Sequence, residues 1–406
     1  MENFKNSARV LSYIKGILNY KETPGYVLLN PGPVLTTPRV KAALVNHDMC
    51  HRDQDFAQLV RNLRQKLKIV FGGDERHEVL LITGSGTSAI EASISSTVPH
   101  DKKILVLMNG AFGERYREVA LVHQMNLEVL DFGWGNPMDL ATIERTIAAD
   151  PDIAVVMMAH HETSVGLLNP VSQVGTICRA YDRLLIVDAV SSLAAEDIHV
   201  ARDHIDICLS SANKAMQAIA GVAFVCVNDR AWRVIDTVRP RVYYLDLRRY
   251  RKYAVEEELT PFTPAVNGFF ALDAAVDELL EEGVQARHET LRKRNRFLRE
   301  AVRSMGLSFY SETGYESSTL TIVKVPDYIS FHELYERMKN YGYIIYGCKG
   351  ELTDQYFQIA NMGDLNEEIL QNFVNTLQFV LFRARREKGM VTAIDMGLSE
   401  ERVQSL

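Results

Sequence analysis

The sequence predicts an α/β protein, with a large domain built on a mostly parallel sheet and a smaller C-terminal α+β domain. Three observations predict it. Short β-branched apolar runs alternate with helical stretches from about residue 78 to residue 227, the pattern of strand–crossover–strand units. The runs are continuously apolar rather than alternating, as strands covered on both faces are. After about residue 271 long helical segments take over and the alternation stops.

Taken in order, residues 6–20 place Val10, Leu11, Ile14, Ile17 and Leu18 at helical spacing, so 1–27 reads as an amphipathic N-terminal arm. LLNPGP (28–33) breaks regular structure, because proline removes a donor and glycine relaxes the backbone. EVLLITGSG then reads as a strand and glycine loop, and TSAIEASISSTV as a helix. KILVLMNG is a strand, FGERYREVALVHQM a helix, and LEVLDFG a strand. DIAVVMMAHHET, LLIVDAVSS, DICLSS and GVAFVCV complete the series, giving a large domain over 28–270. Helical segments near 266–282 and 284–305 precede SSTLTIVKV, a helix around 331–341, YIIYG and a last helix near 366–386, a smaller domain over 271–387. Residues 388–406 read as a tail.

Composition narrows the function classes. A chain of 406 residues that is 47% hydrophobic can fill more than one core, since single cores stop growing near roughly 250–300 residues. A net charge of −7 without a basic block offers no electrostatic footprint for nucleic acid or an anionic membrane. The longest apolar runs, such as IAVVMMA (153–159) and LLIV (184–187), fall far short of the roughly 20 residues of a membrane span. The first twenty residues mix charges and lack a cleavable signal pattern, so a cytoplasmic location is expected. Five cysteines are scattered without a CxxC pair, so neither a disulfide framework nor a metal site is expected.

Ligands of parallel sheets sit at the carboxyl ends of the strands. The polar residues gather there: Gly84–Thr87, Asn109–Gly110, His160–Thr163, Asp188–Ser192 and Ser210–Lys214. GSGTSAIEA (84–92) can turn backbone N–H groups toward an anion at a helix N-terminus, though a structural turn would look the same. Asp188, closing the run LLIV, needs a cation or donors if buried; a helix cap or a structural ion pair would also serve. Lys214, set in LSSANKAMQAIAG, is either a surface lysine on a turn or an amine held for chemistry. A phosphate cradle, a buried acid and a buried lysine together suit pyridoxal 5′-phosphate, whose phosphate needs donors, whose ring nitrogen needs a carboxylate and whose aldehyde needs an amine.

The sequence resembles the class V (fold type I) pyridoxal-phosphate aminotransferases, and within them the branch acting on aminophosphonates. The resemblance runs from about 27 to 385. LLNPGP (28–33), GSGTSAIEA (84–92), NGAFGER (109–115), HETSVGLLNP (161–170), IVDAVSS (186–192), SSANKAMQAIAG (210–221) and FTPAV (262–266) carry it, in that order. It implies a fold type I transferase in which Lys214 binds the cofactor and moves the proton, and Asp188 holds the ring nitrogen. Phe112 and Val190 would cover the two ring faces, Thr163 would reach the 3-oxygen, and Ser85, Gly86 and Thr87 would hold the phosphate. Asn213 would organise the phosphate or backbone beside the lysine, and Thr263 would reach the phosphate of a second subunit, implying a homodimer with shared active sites. The implied reaction is transamination from an amine such as an aminophosphonate to a keto acid such as pyruvate.

One departure stands out. Relatives carry an arginine in a segment like FRIGNIG that grips an acidic group bidentately, whereas this chain reads FQIANMG (357–363), with Gln358 in that place. Another cation must then take the anion (Arg52, Lys349 or a residue of the cluster RPRVYYLDLRRYRK at 239–252), or else the substrate or reaction differs; Lys349 ranks first, and the cluster reads more as a solvated face or dimer rim. Gly32 of LLNPGP is also expected among the substrate-binding residues. A non-transaminating elimination on a related amine, an alanine–glyoxylate-like or serine–pyruvate-like aminotransferase, and a scaffold without activity are the rival readings.

Overall fold

A computed structural model describes residues 25–390; the N-terminal arm over 6–20 and most of the 388–406 tail lie outside the described residues. The seven strands read from the apolar runs form one sheet: β1 (His77–Thr83), β2 (Lys103–Met108), β3 (Asn126–Asp131), β4 (Ile153–Ala159), β5 (Leu184–Asp188), β6 (Ile207–Ser211) and β7 (Val222–Asn228). Their order is β1-β7-β6-β5-β4-β2-β3. β7 runs antiparallel to both neighbours, and every other pairing is parallel. β4 through β6 are buried along nearly their whole length, because helices cover both faces and leave no polar side.

β2 and β4 are neighbours, yet from β2 the chain adds strands toward one edge and from β4 toward the other. Their carboxyl ends open a crevice at this reversal, where α/β sheets place ligands. β5 is the central strand, so Asp188 at its end sits beside that crevice.

α1 (Gln54–Phe71) starts at Asp53, whose side chain accepts from the Gln54 N–H, and stops at the left-handed Gly72, a conformation that glycine adopts without Cβ strain. α2 (Gly86–Thr97) follows β1 and α3 (Ala111–Val122) follows β2. α4 (Val266–Glu282) joins the apolar cluster of α1 and the sheet through Phe269, Leu272, Val276 and Leu279. α5 (Val284–Ser304), α6 (Phe331–Asn340) and α7 (Glu367–Glu387) pack with an antiparallel sheet of β8 (Leu320–Lys324), β9 (Tyr346–Gly347) and β10 (Tyr356–Ala360), in the order β8-β10-β9. Leu29 joins this second core, and Val27–Leu28 pair in parallel with Tyr343–Ile344. Residues 269–279 of α4 thus share the core of the large sheet, while residues 27–29 pack with the smaller one.

Among the described residues no helix is long and apolar enough to cross a membrane. The cysteines are unpaired, and only Cys50 is exposed.

Candidate active site

Asp188 and Lys214 end up at neighbouring strand ends because β5 and β6 pair in parallel, with Asp188 opposite Leu209. Asp188 is 5% exposed. Its Oδ1 accepts from the Val190 N–H at 2.8 Å and its Oδ2 from the Tyr116 hydroxyl at 2.8 Å. Burial raises its pKa, while these donors and the Lys214 charge pull the other way. Lys214 keeps part of its surface open to the crevice. Burial is the main force that pushes its amine down to about 8; Asp188 opposes the shift, while Arg115 and Lys349 add to it. The result is an amine able to work as a neutral base near physiological pH.

Two glycines make the space. A Cβ on Gly32, at φ +125°, would lie 3.2 Å from Cγ and Cε of Lys214 and from the Asn213 carbonyl oxygen. A Cβ on Gly86 would lie 2.8 Å from Val190 Cγ2. LLNPGP therefore lies directly against the lysine, and the first turn of α2 lies directly against Val190. Asn213 accepts from the Ser211 hydroxyl at 3.0 Å, which fixes the residue before the lysine.

Two of the helices that begin at this end of the sheet differ in what meets their free N–H groups. The Glu162 carboxylate caps α3, accepting from the N–H groups of Phe112 at 3.1 Å and Gly113 at 3.3 Å, and from the Ser164 hydroxyl at 2.5 Å. Burial pushes Glu162 up to about 7 against the pull of these bonds. Ser85, at the N-cap of α2, makes no side-chain capping bond, and it is exposed. That terminus keeps free donors and a favourable dipole for an anion.

Phe112, on the first turn of α3, is half-buried, and the Arg115 guanidinium lies 4.8 Å from its ring centroid. Thr163 is buried; its hydroxyl donates to Ser191 Oγ at 2.6 Å. His161 Nδ1 lies 3.2 Å from the Ser191 carbonyl oxygen, and its Nε2 is buried without a partner among the described residues. Burial pushes His160 down to about 4 and His161 down to about 3, so both are neutral at pH 7.

Gln358, on β10, is 4% exposed and donates from Nε2 to the Thr163 carbonyl oxygen at 3.2 Å. The smaller unit thus reaches the crevice with an amide already engaged by the chain. Lys349 is exposed, with Nζ 5.8 Å from the Tyr346 ring centroid, and its charge is felt at Lys214. The Arg52 guanidinium donates to the carbonyls of Thr260 at 2.9 Å and Pro261 at 3.3 Å, which ties it to the loop before Thr263. Thr263 is exposed, its hydroxyl 3.5 Å from His51 Nε2. In the 239–252 cluster Arg241 donates to the carbonyls of Ser95 and Val98, and Arg248 and Arg251 meet Asp246 and Glu78, a structural use of these charges.

Sequence reasoning missed Tyr116 and Ser191. Tyr116 lies four residues after Phe112 on α3, so helical periodicity alone puts both on one face toward the site. Ser191 lay within the IVDAVSS segment but carried no spacing signal of its own.

A family model for class-V aminotransferases matches residues 39–346. The chain belongs to this family. It is 35% identical over 347 residues to an uncharacterised aminotransferase of Methanocaldococcus jannaschii, covering 84% of this chain and 89% of that one. It is 31% identical over 359 residues to the 2-aminoethylphosphonate–pyruvate transaminase of Lysinibacillus sphaericus, covering 87% of this chain and 96% of that one. Among solved structures, the ureidoglycine–glyoxylate aminotransferase of Bacillus subtilis superposes with a TM-score of 0.87 at 28% identity, over 90% of this chain and 95% of that one. The α/β architecture with its mostly parallel sheet is that of the fold type I aminotransferases.

Proposed function

We propose that this class V aminotransferase uses pyridoxal 5′-phosphate to move an amino group from an aminophosphonate such as 2-aminoethylphosphonate to a keto acid such as pyruvate. The observation that carries the reading is the pairing of Lys214 and Asp188 at adjacent strand ends, one an amine lowered to about 8 and the other a doubly hydrogen-bonded buried acid. The residues fit the cofactor. The uncapped N-terminus of α2 leaves the N–H groups around Ser85, Gly86 and Thr87 for the phosphate, whereas Glu162 fills the equivalent end of α3. Gly86 and Gly32 leave space where a Cβ would intrude on Val190 and Lys214.

Bound there, pyridoxal phosphate supplies an aldehyde that takes up amino groups and a ring that withdraws electrons. The protein's part is positional and electrostatic. Asp188 would hold the ring nitrogen, Phe112 and Val190 would cover the ring faces, and Thr163 would meet the 3-oxygen. Lys214 would bind the cofactor and carry the proton between the substrate's α carbon and the cofactor. Thr263, exposed on its loop, is available to the phosphate of a second copy, and we assign the active form as a homodimer on that basis.

Relatives named 2-aminoethylphosphonate–pyruvate transaminase support the donor. Lys349, exposed and electrostatically coupled to Lys214, is the cation we assign to the substrate's acid group. Gln358 favours a second reading. An amide tied to the Thr163 carbonyl cannot make the bidentate charged grip that a keto acid would receive from arginine, so elimination from a related amine is the alternative. Two measurements test both readings. Borohydride reduction of the reconstituted protein should leave the cofactor on Lys214 in a peptide map; its appearance on another lysine, or no uptake of cofactor, overturns the assignment. Incubation with amines in the absence of keto acid should convert the cofactor to its amine form if transamination is right, whereas release of ammonia without that conversion supports elimination.

A further inference from the structure

We infer that Tyr116 is a positioning residue that sets the basicity and orientation of Asp188, and through it the protonation of the cofactor's ring nitrogen. The inference rests on the cofactor reading above and deepens it. Asp188 is a planar group held at both ends, by the Val190 N–H at Oδ1 and the Tyr116 hydroxyl at Oδ2, each at 2.8 Å. Two donors on different oxygens fix the rotation of the carboxylate, and each oxygen keeps a lone pair for a further donor. The Tyr116 side chain is fully buried and belongs to the apolar cluster that contains Ala159, Ile186 and Leu209. Its ring is held by packing, so its hydroxyl stays aimed at the acid.

The chemistry gives this contact a direction. A hydrogen bond donated to a carboxylate stabilises the charged form and lowers its affinity for a proton. Between Asp188 and a ring nitrogen a single proton is shared, and an acid of lower basicity leaves that proton on the ring. Tyr116 therefore favours the protonated, electron-withdrawing ring. The Val190 N–H alone would orient the acid at one end and leave Oδ2 without a donor in an apolar surround, where an unpaired charge is strongly disfavoured.

The test uses the full chain in two states. In cofactor-free protein, the carboxyl carbon signal of Asp188 should titrate at higher pH in Tyr116→Phe than in wild type. In the holo protein carrying cofactor labelled at the ring nitrogen, the nitrogen shift of Tyr116→Phe should move toward that of an unprotonated pyridine. Fluorinated tyrosines at 116, nearly isosteric but stronger donors, should move the nitrogen shift the opposite way in order of their acidity; a merely structural tyrosine would show no such gradient. An Asp188 titration unmoved by Tyr116→Phe, or a flat nitrogen shift across the fluorotyrosine series, overturns the inference. If Tyr116→Phe does not fold, the fluorotyrosines alone decide it. If the Asp188 titration moves but wild type takes up no pyridoxal phosphate, the coupling stands and the proposed function fails.

Discussion

Replacing Lys214 by methionine tests whether the lysine's amine is held against its electrostatic preference. The side chain ordinarily titrates at 10.5, and in the fold burial pushes it down to about 8, only partly opposed by Asp188. Below pH 8 the folded and unfolded chains both carry the proton, and the fold bears the full disadvantage of burying it. Between about 8 and 10.5 the unfolded chain binds more protons than the folded one, so stability rises with pH across that window. The interval corresponds to about 3 kcal/mol at pH 7, falling below about 1 kcal/mol by pH 10. Lys214→Met keeps the length and removes the charge, so cofactor-free Lys214→Met should be the more stable protein at neutral pH. Lys214 retains some contact with solvent, and its loss withdraws a favourable charge from Asp188, so about 3 kcal/mol is an upper bound. Urea unfolding of both cofactor-free chains, repeated between about pH 7 and pH 10, gives the difference directly. The advantage of the variant should shrink steadily as pH rises. A difference that does not change with pH refutes the claim of a buried, depressed amine.

Asp188→Asn should fold and bind cofactor yet lose turnover on the order of 10²-fold, the size of removing a preorganised charge partner; near-normal steady-state turnover would make the acid merely structural. Gly86→Val should lower cofactor affinity at least about 10-fold, because even its first side-chain carbon would lie 2.8 Å from Val190 Cγ2 where the N–H groups of α2 are presented; unchanged affinity by fluorescence titration would remove the phosphate cradle from that terminus. Gln358→Arg should damage the native reaction, since the position is 4% exposed and its amide is committed to the Thr163 carbonyl. Improved pyruvate-coupled transamination at unchanged amine affinity would show instead an ordinary pocket that had lost its arginine. Sedimentation should find the active enzyme to be at least a dimer, and a fully active monomer would remove the role given to Thr263.

The strands and their carboxyl ends were legible because each is a short apolar run closed by polar residues, and burial on both faces leaves little else such a run can be. Asp188, Lys214 and the Gly84–Thr87 turn fall at or just past the carboxyl ends of those runs, and Gly86 lies against Val190. Side-chain partnerships were not legible. Tyr116 reaches Asp188 across 72 residues, and no periodicity within α3 says which strand end its hydroxyl will meet. Arg52 is a second case: its type suits an acid-binding role, and nothing in the local sequence says that its guanidinium also holds the Thr260 carbonyl 208 residues away.

Gln358 shows why the departure from the family pattern could be seen in the sequence but not interpreted there. An amide in an arginine's place reads as a missing cation, which predicts weak binding of an acid and nothing more. In the fold the amide closes a chain of contacts. Gln358 donates to the Thr163 carbonyl, the Thr163 hydroxyl donates to Ser191 Oγ, and the Ser191 carbonyl faces His161 Nδ1, whose Nε2 has no partner among the described residues. Two of these residues, Thr163 and Ser191, flank the ends of β4 and β5 where Asp188 is held. A substitution at 358 therefore acts on the Thr163–Ser191 segment expected to meet the cofactor. The damage expected from Gln358→Arg would therefore reach Thr163 and Ser191 through these contacts, and a substitution that keeps the Thr163 carbonyl engaged should spare them.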